Sequence, residues 1–207
     1  MTQRFRKALS IAASAAMLCS MLLYLPQDHR LGSWLASAEE VSAEPEGEGT
    51  AESPYQISNA DQLYWFAEHA DTSAHAKLTD DIVVNENLVN SSGDLNSGSY
   101  RSWTPIGNLE ATLGYTCAFS GTFDGDGHTI SGLYDDTGRT YAGFVGELSG
   151  SGTIKNLGIV DSWIRGYHVG GVCGESAGTI TYCYFSGDRK STRLNSSHSR
   201  ISFSVVW

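Results

Sequence analysis

Three glycine-bounded copies of one short pattern lie between Phe119 and Gly187, and they constrain this chain more than any other feature. They are Gly127-His128-Thr129-Ile130-Ser131-Gly132-Leu133, Gly152-Thr153-Ile154-Lys155-Asn156-Leu157-Gly158-Ile159 and Gly178-Thr179-Ile180-Thr181-Tyr182-Cys183-Tyr184. Aligned on Ile130, Ile154 and Ile180, they step by 24 and 26 residues. A companion motif, Gly143-Phe144-Val145-Gly146, returns 28 residues later as Gly171-Val172-Cys173-Gly174. Periods of this size mark architectures in which each repeat buries its apolar face only against its neighbours.

The repeats are built from runs of four to six residues rich in Ile, Val, Phe, Thr and Tyr, set between glycines, with no helical period. Glycine weakens a helix but supplies the positive-φ corners that short strands need. Phe119-Ser120-Gly121-Thr122-Phe123 alternates, which places Phe119 and Phe123 on one face and Ser120 and Thr122 on the other. Gly143-Phe144-Val145-Gly146 is apolar on both faces, so periodicity does not choose its inward side. The expectation is an all-β chain, a parallel β-helix or related β-solenoid of about three to five coils, its coils about 4.8 Å apart. A right hand follows from the general preference of parallel crossovers.

Ahead of the repeats the pattern changes. Ser58 or Asn59 can cap a helix, Asp61 adds a favourable charge in its first turn, and Leu63, Phe66, Ala67 and Ala70 form an apolar stripe. Residues 54–75 are therefore expected to cap the first coil, whose strand edge would otherwise be open to pairing. Ala76–Val84 is expected to follow as one strand.

The runs Ala142-Gly143-Phe144-Val145-Gly146, Gly152 to Ile159 and Val169-Gly170-Gly171-Val172-Cys173-Gly174 resemble the GLUG motif. That motif occurs in repeat regions of bacterial surface proteins and in the non-catalytic part of some immunoglobulin A peptidases. Pro54-Tyr55-Gln56-Ile57-Ser58-Asn59-Ala60-Asp61-Gln62-Leu63 and Trp103-Thr104-Pro105-Ile106-Gly107 are similar to segments that precede such repeats. The resemblance covers 54–187. It implies an architecture and an exported, surface location, and it brings no catalytic residues or cofactor.

Both ends differ from this body. Arg4, Arg6 and Lys7, the apolar run Ala8 to Leu25 and the Ala36-Ser37-Ala38 site read as a signal peptide, residues 1–38, with no membrane span remaining after cleavage. Residues 39–53 hold six glutamates among Ala, Gly, Ser and Pro45, the composition of a disordered linker. Asp188-Arg189-Lys190-Ser191-Thr192-Arg193-Leu194-Asn195-Ser196-Ser197-His198 lacks repeat character. Under one choice of codons it reads as a short-read sequencing adapter, which Ile201-Ser202 continues. Residues 188–207 are accordingly read as non-native, with the repeats breaking off at Gly187. A coil left uncovered there would expose Ile180, Tyr182, Cys183, Tyr184 and Phe185.

The chain of 207 residues carries a net charge of −10. Residues 1–38 and 188–207 each hold four basic residues and one acidic, a contribution of +3 apiece, so 39–187 carries −16. With Lys77, Arg101, Arg139, Lys155 and Arg165 scattered along it, that body argues against a nucleic-acid partner, which needs clustered cations.

Few residues invite chemistry. Asp124-Gly125-Asp126-Gly127-His128 opens like a calcium loop, yet no closing glutamate follows, and Asp-Gly pairs are ordinary turn formers. Asp124 and Asp126 stand as weak metal candidates, with Asp135-Asp136 as a completing pair and the turn reading preferred. Asp80, Asp81, Asp161 and Glu175 fall at different repeat phases and predict no stacked carboxylate row for glycoside chemistry. Beyond the signal segment, which holds Cys19, the cysteines are Cys117, Cys173 and Cys183, an odd number, and they are read as core thiols, against a Cys173–Cys183 bridge or a Cys173 nucleophile beside His168 or His128. Trp103, Tyr115, Tyr134, Tyr141, Trp163 and Tyr167 could form a sugar-binding face but more often pack strands and corners. No residue is assigned as catalytic or cofactor-binding. The function expected is a non-enzymatic stalk or adhesin-like scaffold at the cell surface, with host or cell-wall glycans or proteins as partners. The alternatives are a secreted carbohydrate-active β-helix enzyme and the accessory region of a large extracellular protease.

Overall fold

In the computed structural model the described residues are 43–107 and 117–191. The signal segment, Tyr115 and Thr192–Trp207 lie outside them. The fold is mostly β with one short helix, and all its strand ladders are parallel. The first sheet runs β1 (Tyr55–Ile57), β2 (Ala76–Leu78), β4 (Thr122–Asp124), β8 (Thr153–Lys155) and β11 (Thr179–Thr181), its spatial order being the sequence order. The second takes β3 (Ile82–Val83), β5 (Thr129–Ser131), β9 (Gly158–Val169) and β12 (Tyr184–Ser191), with β6 (Tyr134–Ala142) also paired to β9. The third pairs β7 (Val145–Leu148) with β10 (Cys173–Ser176), and the bridges Ile106↔Val145 and Phe119↔Leu148 add an earlier rung. No closed barrel results.

Register turns these sheets into columns of like side chains. Ala76, Phe123, Ile154 and Ile180 stack in the first sheet, and Ile82, Ile130, Ile159 and Phe185 in the second. Their inward members form one apolar core, in which Phe123, Ile130, Ile154 and Ile159 are fully buried. The expected equivalence of Ile130 with Ile154 does not hold, because Ile154 pairs with Phe123 and Ile130 pairs with Ile159. A Thr-Ile pair between polar residues suits either wall, so the pattern alone could not distinguish the two. The 154-to-180 and 145-to-173 spacings do correspond to paired residues.

The helix α1 (Ala60–His69) matches its sequence signals. Asn59 is the N-cap, its Oδ1 accepting the Gln62 amide at 3.0 Å, while Gln62 Oε1 accepts the Ser58 amide at 2.9 Å. Asp61 pairs with Arg101 at 2.5 Å. The buried stripe is Leu63, Tyr64 and Phe66, with Ala67 and Ala70 packed at its margin, so it is rotated toward Tyr64 from the expected face. Phe66 meets Phe119 and Phe123 edge to face at 6.2 and 5.8 Å, and Tyr64 meets Trp103 at 5.2 Å. The helix thus closes the core at its N-terminal end.

Two other expectations change. The single strand expected over Ala76–Val84 is two, β2 and β3, because the chain turns a corner at Thr79–Asp81. The part of the acidic linker that is described, 43–53, is not free chain. Glu46 O accepts the Gln56 amide at 2.7 Å, Gly49 O accepts the His75 amide at 2.8 Å, and Pro45 and Gly49 are buried. Backbone pairing along the β1 edge supplies the order that its side chains cannot. At the other end, β12 continues past Gly187 to Ser191 and stays paired with β9, after a register shift between Ser186 and Gly187.

Candidate functional site

The Asp124–His128 turn joins β4 to β5 at a corner where neighbouring rungs nearly touch. A Cβ on Gly125 would lie 2.3 Å from the Asn156 carbonyl oxygen, so only glycine fits there. Asp126 and Gly127 follow with φ of 51° and 90°, the left-handed region where Asp and Gly are tolerated. Asp124 Oδ1 accepts the Asp126 amide and Asn156 Nδ2, both at 2.9 Å. Its Oδ2 lies 3.0 Å from Lys155 Nζ, and Asp126 Oδ2 lies 2.9 Å from Lys77 Nζ. Burial pushes the Asp124 carboxyl up, but Asn156, the Asp126 amide and Lys155 together outweigh it and hold the group below the usual carboxylate range. The two weak metal candidates are brought together, then, with lysine ammonium groups on their oxygens. Lys77, Asp124 and Lys155 are register partners on successive strands, so the sheet carries an outward ladder of alternating charge.

The other acidic residues scatter. Asp81 Oδ1 accepts the Thr129 amide at 2.7 Å and its hydroxyl at 3.1 Å, and these bonds lower its pKa, with His128 Nδ1 at 3.5 Å adding to the effect. Asp135 does not join Asp124. It is fully buried, bonded through Oδ1 to Thr137, and Arg139 Nε lies 2.9 Å from its Oδ2 while donating to Thr137 Oγ1. Asp136 pairs with Arg165 at 3.3 Å. Among the described residues no three His, Cys, Asp or Glu side chains converge as a metal site.

The three cysteines among the described residues are free thiols, Cys183 buried and Cys117 and Cys173 half-buried. Burial pushes the Cys173 thiol up to about 12, against backbone hydrogen bonding that includes Glu175, which is the opposite of an activated nucleophile.

Most of the aromatics pack. Trp103 is fully buried, donates from Nε1 to the Gly143 and Phe144 carbonyls and stacks on Phe144 at 5.7 Å. Trp163 is 9% exposed beneath the Lys190 ammonium, 4.1 Å from its ring. Tyr134 sits 5.5 Å from Tyr100. Tyr141 and Tyr167 flank His168, with centroids at 5.3 and 5.1 Å, and Tyr167 is 44% exposed.

Beside that patch lies a feature the sequence reading missed. Glu147 and Glu175 are register partners on β7 and β10. The charge of Glu175 and its hydrogen bond to the Tyr141 hydroxyl raise the Tyr141 pKa. The signal was present, since Gly146-Glu147 and Gly174-Glu175 close the two copies of the 28-residue motif. Asp80, Asp81 and Asp161 do not share the phase of Glu175, whereas Glu147 does.

These features define a class, a repeat protein of parallel strands with a charged, aromatic-bearing outer surface. Residues 165–189 match the GLUG motif, so the chain carries that motif across the end of β9, β10, β11 and most of β12. Over 151 residues the chain is 39% identical to halomucin from Haloquadratum walsbyi, an overlap of 72% of this chain and 2% of that protein. It is 26% identical over 151 residues to a Gly-rich membrane protein from Evansella cellulosilytica, covering 72% and 15% of the two chains. This chain therefore spans a small part of the length of both. The crystal structure of an immunoglobulin A1 protease from Bacteroides ovatus superposes with a TM-score of 0.52 at 21% identity, covering 69% of this chain and 40% of that one, a likeness of fold alone. Among the described residues no helix is long and apolar enough to cross a membrane.

Proposed function

We propose that the three parallel sheets are the walls of a β-helix, and that this β-helix is the non-enzymatic repeat region of an exported surface protein. It serves as a stalk or adhesin-like scaffold. The observation that carries the reading is the register, with repeat residues 26 to 28 positions apart paired on neighbouring strands of all three sheets. Stacking of this kind makes an elongated body that grows by adding coils and presents side chains in rows, the property a spacer or binding surface needs. Halomucin and the Gly-rich membrane protein support the surface location.

The test is accessibility. Antibody raised against residues 54–187 is expected to label intact cells, and protease added outside them is expected to remove that label. A chain protected until the cells are lysed would sink the surface reading. Glu147 and Glu175 give the enzymatic alternative a specific pair. Polysaccharide cleavage that disappears in Glu175→Gln would replace the scaffold reading with a carbohydrate-active one.

A further inference from the structure

The excursion between β3 and β4 contains a turn that the scaffold does not require. Val89 and Leu95 form an antiparallel bridge, and the chain reverses between them through Asn90-Ser91-Ser92-Gly93-Asp94. Asn90 is exposed and holds the turn through its side-chain oxygen, with Oδ1 accepting the Ser92 amide at 2.8 Å and the Asp94 amide at 2.9 Å. Backbone bonds from the Asn90 amide to Asp94 O and from the Gly93 amide to Asn90 O close the turn, at 2.9 and 2.8 Å. With both amides directed at Oδ1, the Nδ2 end of the carboxamide points away from the turn's hydrogen bonds. Beside it lies a shallow groove whose far side is Asp161 and Ser186 to Asp188.

Asn90-Ser91-Ser92 is also an Asn-x-Ser triplet with a non-proline middle residue, the acceptor pattern for N-linked sugar. Such a triplet is usable only where the asparagine is exposed in an exported chain, and here it sits on a locally stabilised surface turn. We propose that Asn90 is the acceptor of an N-linked glycan. In the transfer, Nδ2 attacks C1 of a saccharide carried on a lipid pyrophosphate. The Nδ2–C1 bond forms, the C1–O bond to phosphate breaks, and the lipid pyrophosphate leaves with that electron pair. One amide proton passes to a carboxylate base of the transferase, and nothing is oxidised or reduced. The Ser92 hydroxyl is the group by which a transferase recognises the triplet. The proposal rests on the reading of the chain as exported, because donor and transferase work outside the cytoplasm.

Purified full-length chain is treated with an Asn-x-Ser/Thr oligosaccharyltransferase and its lipid-pyrophosphate saccharide, then digested with trypsin. Peptide 78–101 holds Asn90 and no other triplet, which separates it from Asn195-Ser196-Ser197. The expected result is a gain of the saccharide mass on 78–101 in the wild type and in Ser92→Thr, and none in Ser92→Ala. Asn90→Asp keeps the oxygen that holds the turn, so its loss of the added mass reports the nitrogen rather than the fold. An unmodified 78–101 in the wild type, beside a control peptide that is modified, overturns the proposal, as does a mass gain that survives Asn90→Asp. Export is read separately, by sequencing the N-terminus of secreted chain. A chain recovered from the medium with a new terminus at Glu39 supports export, and a chain found only inside the cells with Met1 intact overturns export without touching the acceptor result.

Discussion

The first and last rungs of this protein are built from similar strands and finished differently. At the first, β1 has its backbone edge bridged by Glu46, and Ile57 of β1 and Leu63 and Phe66 of α1 are at most 1% exposed. At the last, β10, β11 and β12 each end their sheet, and among the described residues no strand lies beyond them. Tyr182 is 74% exposed and Tyr184 40%, although Cys183 and Phe185 still point into the core. The difference separates two needs of a stacked repeat, since a helix satisfies the apolar interior while only another backbone satisfies the edge.

The hardest blow to that comparison would come from the cap. Phe66→Ala removes the side chain on which Phe119 and Phe123 rest, and is expected to cost about 3–5 kcal/mol in a denaturant titration. Tyr184→Ala at the open end should cost under about 1 kcal/mol. Equal losses would mean that the two ends are equally covered.

Amide exchange tests the same asymmetry without mutation. The amides of β11 are expected to exchange roughly a hundredfold faster than those of β8, because opening the last rung breaks one interface rather than two. Matching rates at Ile180 and Ile154 would refute an open end.

A smaller effect would sharpen the contrast. Asn156 and Tyr182 occupy the same corner on successive rungs, with φ of 54° and 53°, a conformation asparagine tolerates and tyrosine resists. Tyr182→Asn should therefore stabilise the protein by about 1 kcal/mol while removing an exposed ring. A loss of stability would show that the ring is covered in solution.

The smallest effect concerns the ladder that ties the capped end to the later rungs. Because the Asp124 pKa is lowered on folding, its contribution is present above the unfolded value of about 3.9 and is lost as pH falls through the folded one. The carboxyl is half-buried but its Lys155 partner is solvent-exposed, so the acid-sensitive part should stay under about 1 kcal/mol and vanish in Asp124→Asn. Acid sensitivity unchanged in that variant would assign it to another carboxylate.

The sequence by itself determined the parallel repeats, the helix capped at Ser58 or Asn59 and the turn at Asp124-Gly125, because each rests on contacts within a few residues or on a period repeated along the chain. Only the tertiary structure decided which repeat residues meet. Ile130 lies beside Ile159, Glu147 beside Glu175, and the Asp124 and Asp126 oxygens beside Lys155 and Lys77. The order of residues 43–53 was likewise invisible, since their polar side chains carry no signal for a backbone that finds its partners in Gln56 and His75. The physical reason is common to all of these. A strand pattern records which residues face inward, whereas register is fixed by the lengths of the intervening corners and excursions, and here rungs are separated by unequal stretches of chain.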